Sequence, residues 1–267
     1  MSATTALAEA IDLKRYPIDD MDGPAGRALQ QRCRDQLRSL GACDLEGFLR
    51  ADAVTNVVNS VEGLQSLAFR TETNHNLEFS GRESELDADD PLRIQVRSAK
   101  SAVAYDQIPE DSPLRAVYES DLLTRFVGAA LEVEPIYRQA DEIGALNVMF
   151  YGQGDELGWH VDNADFVVTL MLQAAKSGGA FEFVPMLRAP DDPNPDGVRA
   201  LLSGERAGVR NLSPEPGTLA LFRGRLSPHR VTPIEGGTPR INAVLSYATR
   251  PDATLSATAR RIFFGRD

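Results

Sequence analysis

The sequence Gly158-Trp159-His160-Val161-Asp162, followed four residues later by Phe166-Val167-Val168-Thr169-Leu170-Met171-Leu172, is the most informative part of the chain. The second run is mostly apolar and bounded by polar residues, which predicts a buried strand. In the first run, alternation along an extended chain points the side chains of His160 and Asp162 to the same side. We therefore expect a β-rich fold that carries a histidine and a carboxylate beside one of its strands.

Residues 144–250 repeat this character. Short β-prone runs are separated by Gly, Pro, Asp and Asn, and they cover residues 145–151, 166–172, 180–184, 218–222, 229–233 and 240–247. This number of short strands, with turns between them, favours a double-stranded β-helix, the jelly-roll of the cupins. A turn-rich insertion, residues 189–210, interrupts the strands and contains a predicted short helix over 198–202.

The first part of the chain, residues 1–143, is predicted to be mainly helical. Ser112 is placed to cap the last of three segments in which apolar residues recur at helical spacing, namely 25–40, 52–67 and 113–131. Residues 74–90 are polar and acidic, and such a loop can form a lid over an enzyme's site. We predict one domain over 1–267, mainly β with flanking helices (α+β). Its N-terminal helices pack outside a cupin-like jelly-roll core, and residues 251–267 form a C-terminal segment.

Composition excludes several classes of partner. The formal net charge is -11 over 267 residues, and a nucleic-acid groove would need a basic stripe to neutralise phosphates. No apolar run approaches the ~18 residues of a spanning helix, and the first residues do not resemble a secretory signal. Cys33 and Cys43 are too few for a disulfide framework and are expected to be reduced thiols. We therefore expect a cytoplasmic protein that binds neither nucleic acid nor membranes. The sequence is compatible with a homodimer.

Two of the three histidines form a spaced set with one carboxylate: His160, Asp162 and His229. Two histidines and a carboxylate are the ligand set that holds Fe(II) while leaving positions open for substrate and O2. His-x-Asp alone is a weak motif, because the chain has 39 Asp and Glu residues. Its position beside a buried strand, with His229 in a second strand-rich stretch, favours a metal site over two histidines that only satisfy core hydrogen bonds.

Arg240 lies eleven positions after His229, beyond the turn at residues 235–239. The spacing predicts a hairpin that returns the arginine on the adjacent strand, pointing into the same barrel mouth. A guanidinium group there can hold a carboxylate through two hydrogen bonds. A metal ion together with a buried arginine is the pairing that a 2-oxoglutarate cosubstrate requires.

Five stretches carry a resemblance to a known family. They are Leu157-Gly-Trp-His-Val-Asp162, Gly178-Gly-Ala-Phe-Glu-Phe-Val-Pro185, Pro216-Gly-Thr-Leu-Ala-Leu-Phe-Arg-Gly-Arg225, Ser227-Pro-His-Arg-Val-Thr-Pro233 and Pro239-Arg-Ile-Asn-Ala-Val-Leu-Ser-Tyr247. They resemble Fe(II)/2-oxoglutarate-dependent oxygenases, most closely the bacterial group of free-amino-acid (lysine-type) halogenases and their hydroxylase relatives. The resemblance runs from about residue 74 to 266 and implies Fe(II), 2-oxoglutarate and O2 as cofactor and cosubstrates, with succinate and carbon dioxide as products.

Residue by residue, the resemblance makes His160, Asp162 and His229 the iron ligands and Arg240 the clamp on the distal carboxylate of 2-oxoglutarate. Arg97 lies where the lysine halogenases have an arginine that binds the substrate carboxylate. A surface ion pair explains an arginine at this position equally well.

Four further polar residues are candidates for the same site. The resemblance puts Asn163 and Ser246 near positions that line the substrate pocket. Asn147 and Asn242 lie on predicted strands that should face the mouth, Asn242 on the same face as Arg240. They can bond the cosubstrate or serve as structural amides. The one tryptophan, Trp159, is expected to pack against the barrel wall.

Asp162 separates two reactions within this family. In the halogenases a glycine replaces the carboxylate ligand and leaves an iron position for halide, whereas here the position holds aspartate. The resemblance therefore implies hydroxylation of an aliphatic carbon of a free amino acid or a similar small carboxylate-bearing molecule. Desaturation, a peptide substrate, and a cupin-like protein that binds metal and small ligands without turnover are the alternatives. No acidic group matches one that would hold a lysine ammonium.

Overall fold

The computed structural model describes residues 9–81 and 83–267. Its helices, numbered in chain order, are α1 (Pro24–Leu40), α2 (Ala51–Glu62), α3 (Pro113–Tyr118), α4 (Asp121–Leu131), α5 (Pro195–Leu202) and α6 (Ala257–Phe264). Short 3-10 turns lie at Gly63–Leu67, Glu83–Glu85, Pro91–Arg93 and Tyr105–Gln107. No helix among the described residues is both long and apolar enough to cross a membrane.

The strands form one large antiparallel sheet and two small ribbons. They are β1 (Ala42–Leu45), β2 (Phe69–His75), β3 (Val96–Val103), β4 (Tyr137–Arg138), β5 (Leu146–Tyr151), β6 (Glu156–His160), β7 (Val167–Gln173), β8 (Ser177–Gly178), β9 (Phe181–Phe183), β10 (Arg210–Asn211), β11 (Leu219–Phe222), β12 (His229–Val231), β13 (Ile234–Glu235), β14 (Arg240–Leu245) and β15 (Tyr247–Ala248). The large sheet has the order β1-β11-β7-β14-β5-β3-β6-β12-β9-β10, with β2 on the other edge of β3.

Strand β3 joins the two halves of the sheet. Its last residues, Ser101 to Val103, pair with β5, whereas Ser98 and Ala99 pair with β6. The sheet curls at this strand, so that the half ending in β1 faces the half ending in β10. This arrangement, with helices outside it, is the predicted jelly-roll core with flanking helices.

Alternation along the strands separates the core from the barrel interior. In β7, Val168, Leu170 and Leu172 are fully buried in the main apolar cluster together with residues of the N-terminal helices. Thr169 and Met171 point to the opposite face, toward the interior of the curl. The helices therefore cover one face of the sheet and leave the other free to build a site. Helix α1 lies against α4 and β1 and ends at Gly41, which adopts a left-handed conformation (φ 68°).

Several expectations change in the structure. The predicted helix over 113–131 is two helices, because Ser120 caps α4 by accepting a hydrogen bond from Leu123 N, just as Ser112 caps α3 through Leu114 N. The first 143 residues also contribute β1, β2 and β3, so they hold more than helices. The expected hairpin between His229 and Arg240 is wrong. Strand β12 pairs with β6 and β9, whereas β14 pairs with β5 and β7.

Both cysteines are free and buried. Cys33 lies in α1 and Cys43 in β1, and each contributes to the main apolar cluster. Their place in the packed layer between helix and sheet accounts for them as small apolar side chains.

Candidate active site

His160, Asp162 and His229 come together at one rim of the barrel. One potential ligand atom of each lies within 4.8 Å of the others. His160 Nε2 is 3.9 Å from Asp162 Oδ1, and His229 Nε2 is 3.5 Å from Asp162 Oδ2. Among the described residues, this is the one cluster of histidine, cysteine and acidic side chains with such spacing. The distances are too long for good hydrogen bonds and suit three groups around a single ion.

Strand pairing explains why the two histidines meet. His160 is the last residue of β6 and His229 the first of β12, and the two are direct partners across the antiparallel pair. Their rings are 4.0 Å apart between centroids. Each Nδ1 lies against a backbone carbonyl, Gly158 O at 2.9 Å for His160 and Ser227 O at 3.0 Å for His229. A donor at Nδ1 leaves the lone pair of Nε2 facing Asp162, as metal-binding histidines require.

Asp162 follows β6 in a turn held by Gly224. Asp162 N donates to Gly224 O at 3.2 Å, and a Cβ atom built on Gly224 would lie 1.7 Å from Asp162 Oδ2. The side chain is 20% exposed, yet Oδ2 is buried and has no hydrogen-bond partner. This anionic oxygen lacks a donor and lies beside the lone pairs of two imidazoles. A bound cation would compensate the negative charge and accept all three groups as ligands. The donor set therefore fits Fe(II).

Aromatic rings surround the histidines. Phe181 stacks on His229 at 5.4 Å and Phe222 meets it edge-on at 4.8 Å, while Phe79 meets His160 edge-on at 5.7 Å. Burial, and then the neighbouring His229, hold the pKa of His160 well below its ordinary value. Burial raises the pKa of Asp162, against the lowering effects of His229 and Lys100. A neutral imidazole is the form that binds a metal ion.

Arg240 begins β14 and is only 4% exposed. Its guanidinium lies 5.6 Å from the ring centre of Tyr151, its direct partner on β5. No carboxylate of the described residues pairs with it, and Nε is buried without a hydrogen-bond partner. Burial lowers the pKa of Arg240. Burial also raises the pKa of Tyr151 to about 12, so this phenol keeps its proton at neutral pH. A buried guanidinium without a partner fits the carboxylate of a cosubstrate.

The two predicted amides share the interior with Arg240. Asn242 is two residues along β14 and pairs with Met149, and Asn147 on β5 pairs with Val244. Both are buried. The Oδ1 atom of Asn147 has no hydrogen-bond partner, so this amide can still accept a bond from a bound molecule.

The three residues assigned to substrate by resemblance have other contacts or are exposed, and their role stays a prediction. Arg97 forms ion pairs of 3.0 Å with Glu72 and with Glu156, and the structure does not bring it to the iron ligands. Ser246 donates to Gly144 O at 2.9 Å beyond the end of β14, about 20 Å along the strand from Arg240. Asn163 is exposed in the turn after Asp162.

Lys100 is a residue of this site that the sequence analysis missed. It lies three positions after Arg97 in β3, so its side chain leaves the opposite face of the strand. It is 8% exposed, and its ammonium lies 5.3 Å from the ring centre of Phe263 in α6. Burial lowers its pKa to about 8, against the raising effect of Asp162. The signal available in the sequence was its rarity, since 28 Lys and Arg residues include only three lysines.

The third histidine and the predicted lid loop form another wall. His75 ends β2, its Nε2 lies 2.6 Å from Ser98 Oγ, and its ring stacks on Phe79 at 3.7 Å. Phe79 has a left-handed backbone (φ 52°) within a turn in which Asn76 Oδ1 accepts from Glu78 N. A left-handed backbone conformation is energetically unfavourable for a bulky residue, so contacts with the surrounding residues must hold Phe79 in it. The structure thus orders the start of the predicted lid against His160.

Comparison with protein families shows that the family model described as Halogenase D (HalD) matches residues 26–262. Among curated protein sequences, none matches the chain.

Solved structures share the fold. AviO1 from Streptomyces viridochromogenes Tue57 is 20% identical, covers 85% of this chain and 97% of its own, and superposes with a TM-score of 0.57. A 2OG-Fe(II) oxygenase family oxidoreductase from Burkholderia pseudomallei is 15% identical over 84% of this chain and 92% of its own, with a TM-score of 0.53. SnoN, a non-heme alpha ketoglutarate dependent epimerase from nogalamycin biosynthesis, is 15% identical over 83% and 81%, with a TM-score of 0.55.

Proposed function

The chain belongs to the Halogenase D family, and we propose that it is an Fe(II)- and 2-oxoglutarate-dependent hydroxylase. Its substrate is a free amino acid or a similar small carboxylate-bearing molecule, oxidised at an unactivated aliphatic carbon. The observation that carries the proposal is Asp162, whose carboxylate lies 3.5 Å from His229 Nε2 and 3.9 Å from His160 Nε2. A carboxylate in this position would serve as a metal ligand where the halogenases of this family have a glycine and bind halide.

When bound, iron and 2-oxoglutarate supply with O2 an oxidant able to remove hydrogen from an aliphatic carbon, and succinate and carbon dioxide are the other products. His160, Asp162 and His229 would hold the metal. Their Nδ1 contacts to Gly158 O and Ser227 O fix the ring orientation, so that each Nε2 stays aimed at the centre.

Arg240 would receive the distal carboxylate of 2-oxoglutarate. Its burial removes competing water, and the absence of a protein carboxylate partner leaves its donors available. Tyr151 packs beside the guanidinium and limits its rotation. Asn147 offers an acceptor without a partner on the facing strand. The aromatic rings around His160 and His229 exclude water from the reacting centre.

The test uses purified protein with Fe(II), 2-oxoglutarate and a panel of free amino acids and their N-substituted forms. We expect succinate release that increases with the true substrate. Asp162→Asn should weaken iron binding and abolish stimulated succinate release. Asp165→Asn is the matched control, because Asp165 lies in the same turn but is exposed and pairs with Arg225. Equal iron content and equal turnover in the two variants would contradict the proposal.

A second substitution tests the type of reaction. Asp162→Gly should abolish hydroxylation, and chloride added to this variant should yield some chlorinated product from the same substrate. Mass spectrometry of the product distinguishes hydroxylation, desaturation and chlorination. Unchanged hydroxylation in Asp162→Gly would show that this carboxylate is not an iron ligand.

A further inference from the structure

Lys100 carries a buried positive charge that the protein itself leaves without a partner. Its side chain is more than nine-tenths buried. None of the described residues forms an ion pair or hydrogen bond with its ammonium group, and its one close aromatic neighbour is Phe263. The other two lysines, Lys14 and Lys176, lie outside the barrel interior, and Lys176 is exposed. Burying a charge without a partner costs folding free energy. A bound ligand of opposite charge would offset that cost.

The charge faces the iron ligands. Alternation along β3 puts Lys100 on the same face as Ser98, whose hydroxyl contacts His75. His75 in turn stacks on Phe79, whose ring meets His160 edge-on, so the face of β3 that carries Lys100 borders the candidate iron ligands.

The formal charges of the loaded site indicate which kind of group Lys100 would bind. Fe(II) contributes two positive charges, Asp162 one negative, 2-oxoglutarate two negative and Arg240 one positive, while neutral histidines contribute none. The loaded site without Lys100 is therefore neutral, and Lys100 leaves one positive charge unbalanced. Only the substrate remains to neutralise it.

Building on the proposed function, we propose that Lys100 anchors an anionic group of the substrate, and that the site selects small carboxylic acids whose reacting part carries no cation. The inward positions of β3, β5, β7 and β14 hold no aspartate or glutamate. Asp162 is committed to the metal. Glu156 on β6 and Glu182 on β9 are already paired with arginines. A substrate ammonium inside the loaded barrel would therefore meet the charge of Lys100 without a carboxylate to pair with. An acid with an apolar chain, or an amino acid with its amine acylated, fits this charge pattern.

Binding measurements test the assignment with ligands that differ only in the charged end. Protein loaded with Fe(II) and 2-oxoglutarate without oxygen is titrated calorimetrically with hexanoate, hexanamide and hexylamine, and then with leucine and N-acetylleucine. We expect hexanoate to bind and the amide and amine to bind at least about tenfold more weakly. N-acetylleucine should bind more tightly than leucine.

Two variants distinguish the effect of Lys100 from that of removing any lysine charge. Lys100→Met should weaken hexanoate binding about tenfold or more and leave 2-oxoglutarate binding unchanged. Lys176→Met should change neither. Absence of hexanoate binding, preference for hexylamine, or loss of 2-oxoglutarate affinity in Lys100→Met would overturn the assignment. Failure of the wild-type protein to bind 2-oxoglutarate at all would instead count against the proposed function.

Discussion

Replacing Lys100 with methionine should stabilise the metal-free protein at neutral pH. Burial lowers the pKa of Lys100 from 10.5 to about 8. Because one pKa unit corresponds to about 1.4 kcal/mol, keeping the ammonium charged costs the folded protein roughly 3 kcal/mol. Methionine has a similar length and no charge, so Lys100→Met removes this cost while the side chain still fills the space beside Phe263.

The pH dependence follows from proton binding in the two states. Below pH 8 the lysine is charged in both folded and unfolded protein, and the folded protein bears the full cost. Between pH 8 and 10.5 the unfolded chain holds the proton and the folded protein does not, so the stability of the wild-type protein rises with pH. The advantage of Lys100→Met should therefore be largest near pH 7 and disappear near pH 10.5.

Urea unfolding at several pH values, with Lys176→Met as control, measures this difference. A gap in the free energy of unfolding of roughly 3 kcal/mol near pH 7 that closes at high pH would support the burial argument. A variant that is less stable than wild type near pH 7, with a gap that does not change with pH, would refute it.

Three other changes probe the site and its support. Gly224→Ala should reduce Fe(II) affinity about tenfold or more while the protein stays folded, since a Cβ atom there would lie 1.7 Å from Asp162 Oδ2; metal titration and circular dichroism check this. Arg240→Met should raise the KM for 2-oxoglutarate about tenfold or more in succinate assays. Asp141→Asn should lower the free energy of unfolding by about 2 kcal/mol, because the buried carboxylate accepts bonds from Gly144 N and Arg260. Burial alone would raise the pKa of Asp141, but these bonds lower it, so the wild-type advantage should be lost as pH falls through that lowered pKa.

The cluster of His160, Asp162 and His229 could be predicted from the sequence because each residue lies beside or within a strand-rich stretch. His160 and Asp162 are two positions apart beside an apolar run, and His229 opens another strand-rich stretch. Strand β3 could not be predicted in this way. Its sequence, Val96-Arg-Ser-Ala-Lys-Ser-Ala-Val103, mixes charged and small residues without apolar alternation. It becomes a strand because β2, β5 and β6 pair with it, and tertiary context of this kind overrides local propensity.

The choice between Arg97 and Lys100 shows the same limit. Three positions apart on one strand, they point to opposite faces, and the sequence does not say which face is inward. Arg240 was assigned to the interior for a partly wrong reason, because its strand pairs with β5 and not with β12. Ser246, which the resemblance assigned to the pocket, lies one residue beyond the end of β14, and its assignment stays a prediction.

The position of β3 bears on how enzymes of this architecture diversify. In the proposed assignment the iron ligands lie on and beside β6 and β12, Arg240 on β14 and Lys100 on β3, so the residues for oxidation and the residue for substrate choice lie on separate strands. Under this proposal, substitution at position 100 would change which charged group the substrate must carry, while the three candidate ligands stay on their own strands. Directed evolution for new substrates should therefore begin with residues of β3 and of the facing helix α6. Variation there would change substrate recognition and leave the three candidate ligands in place.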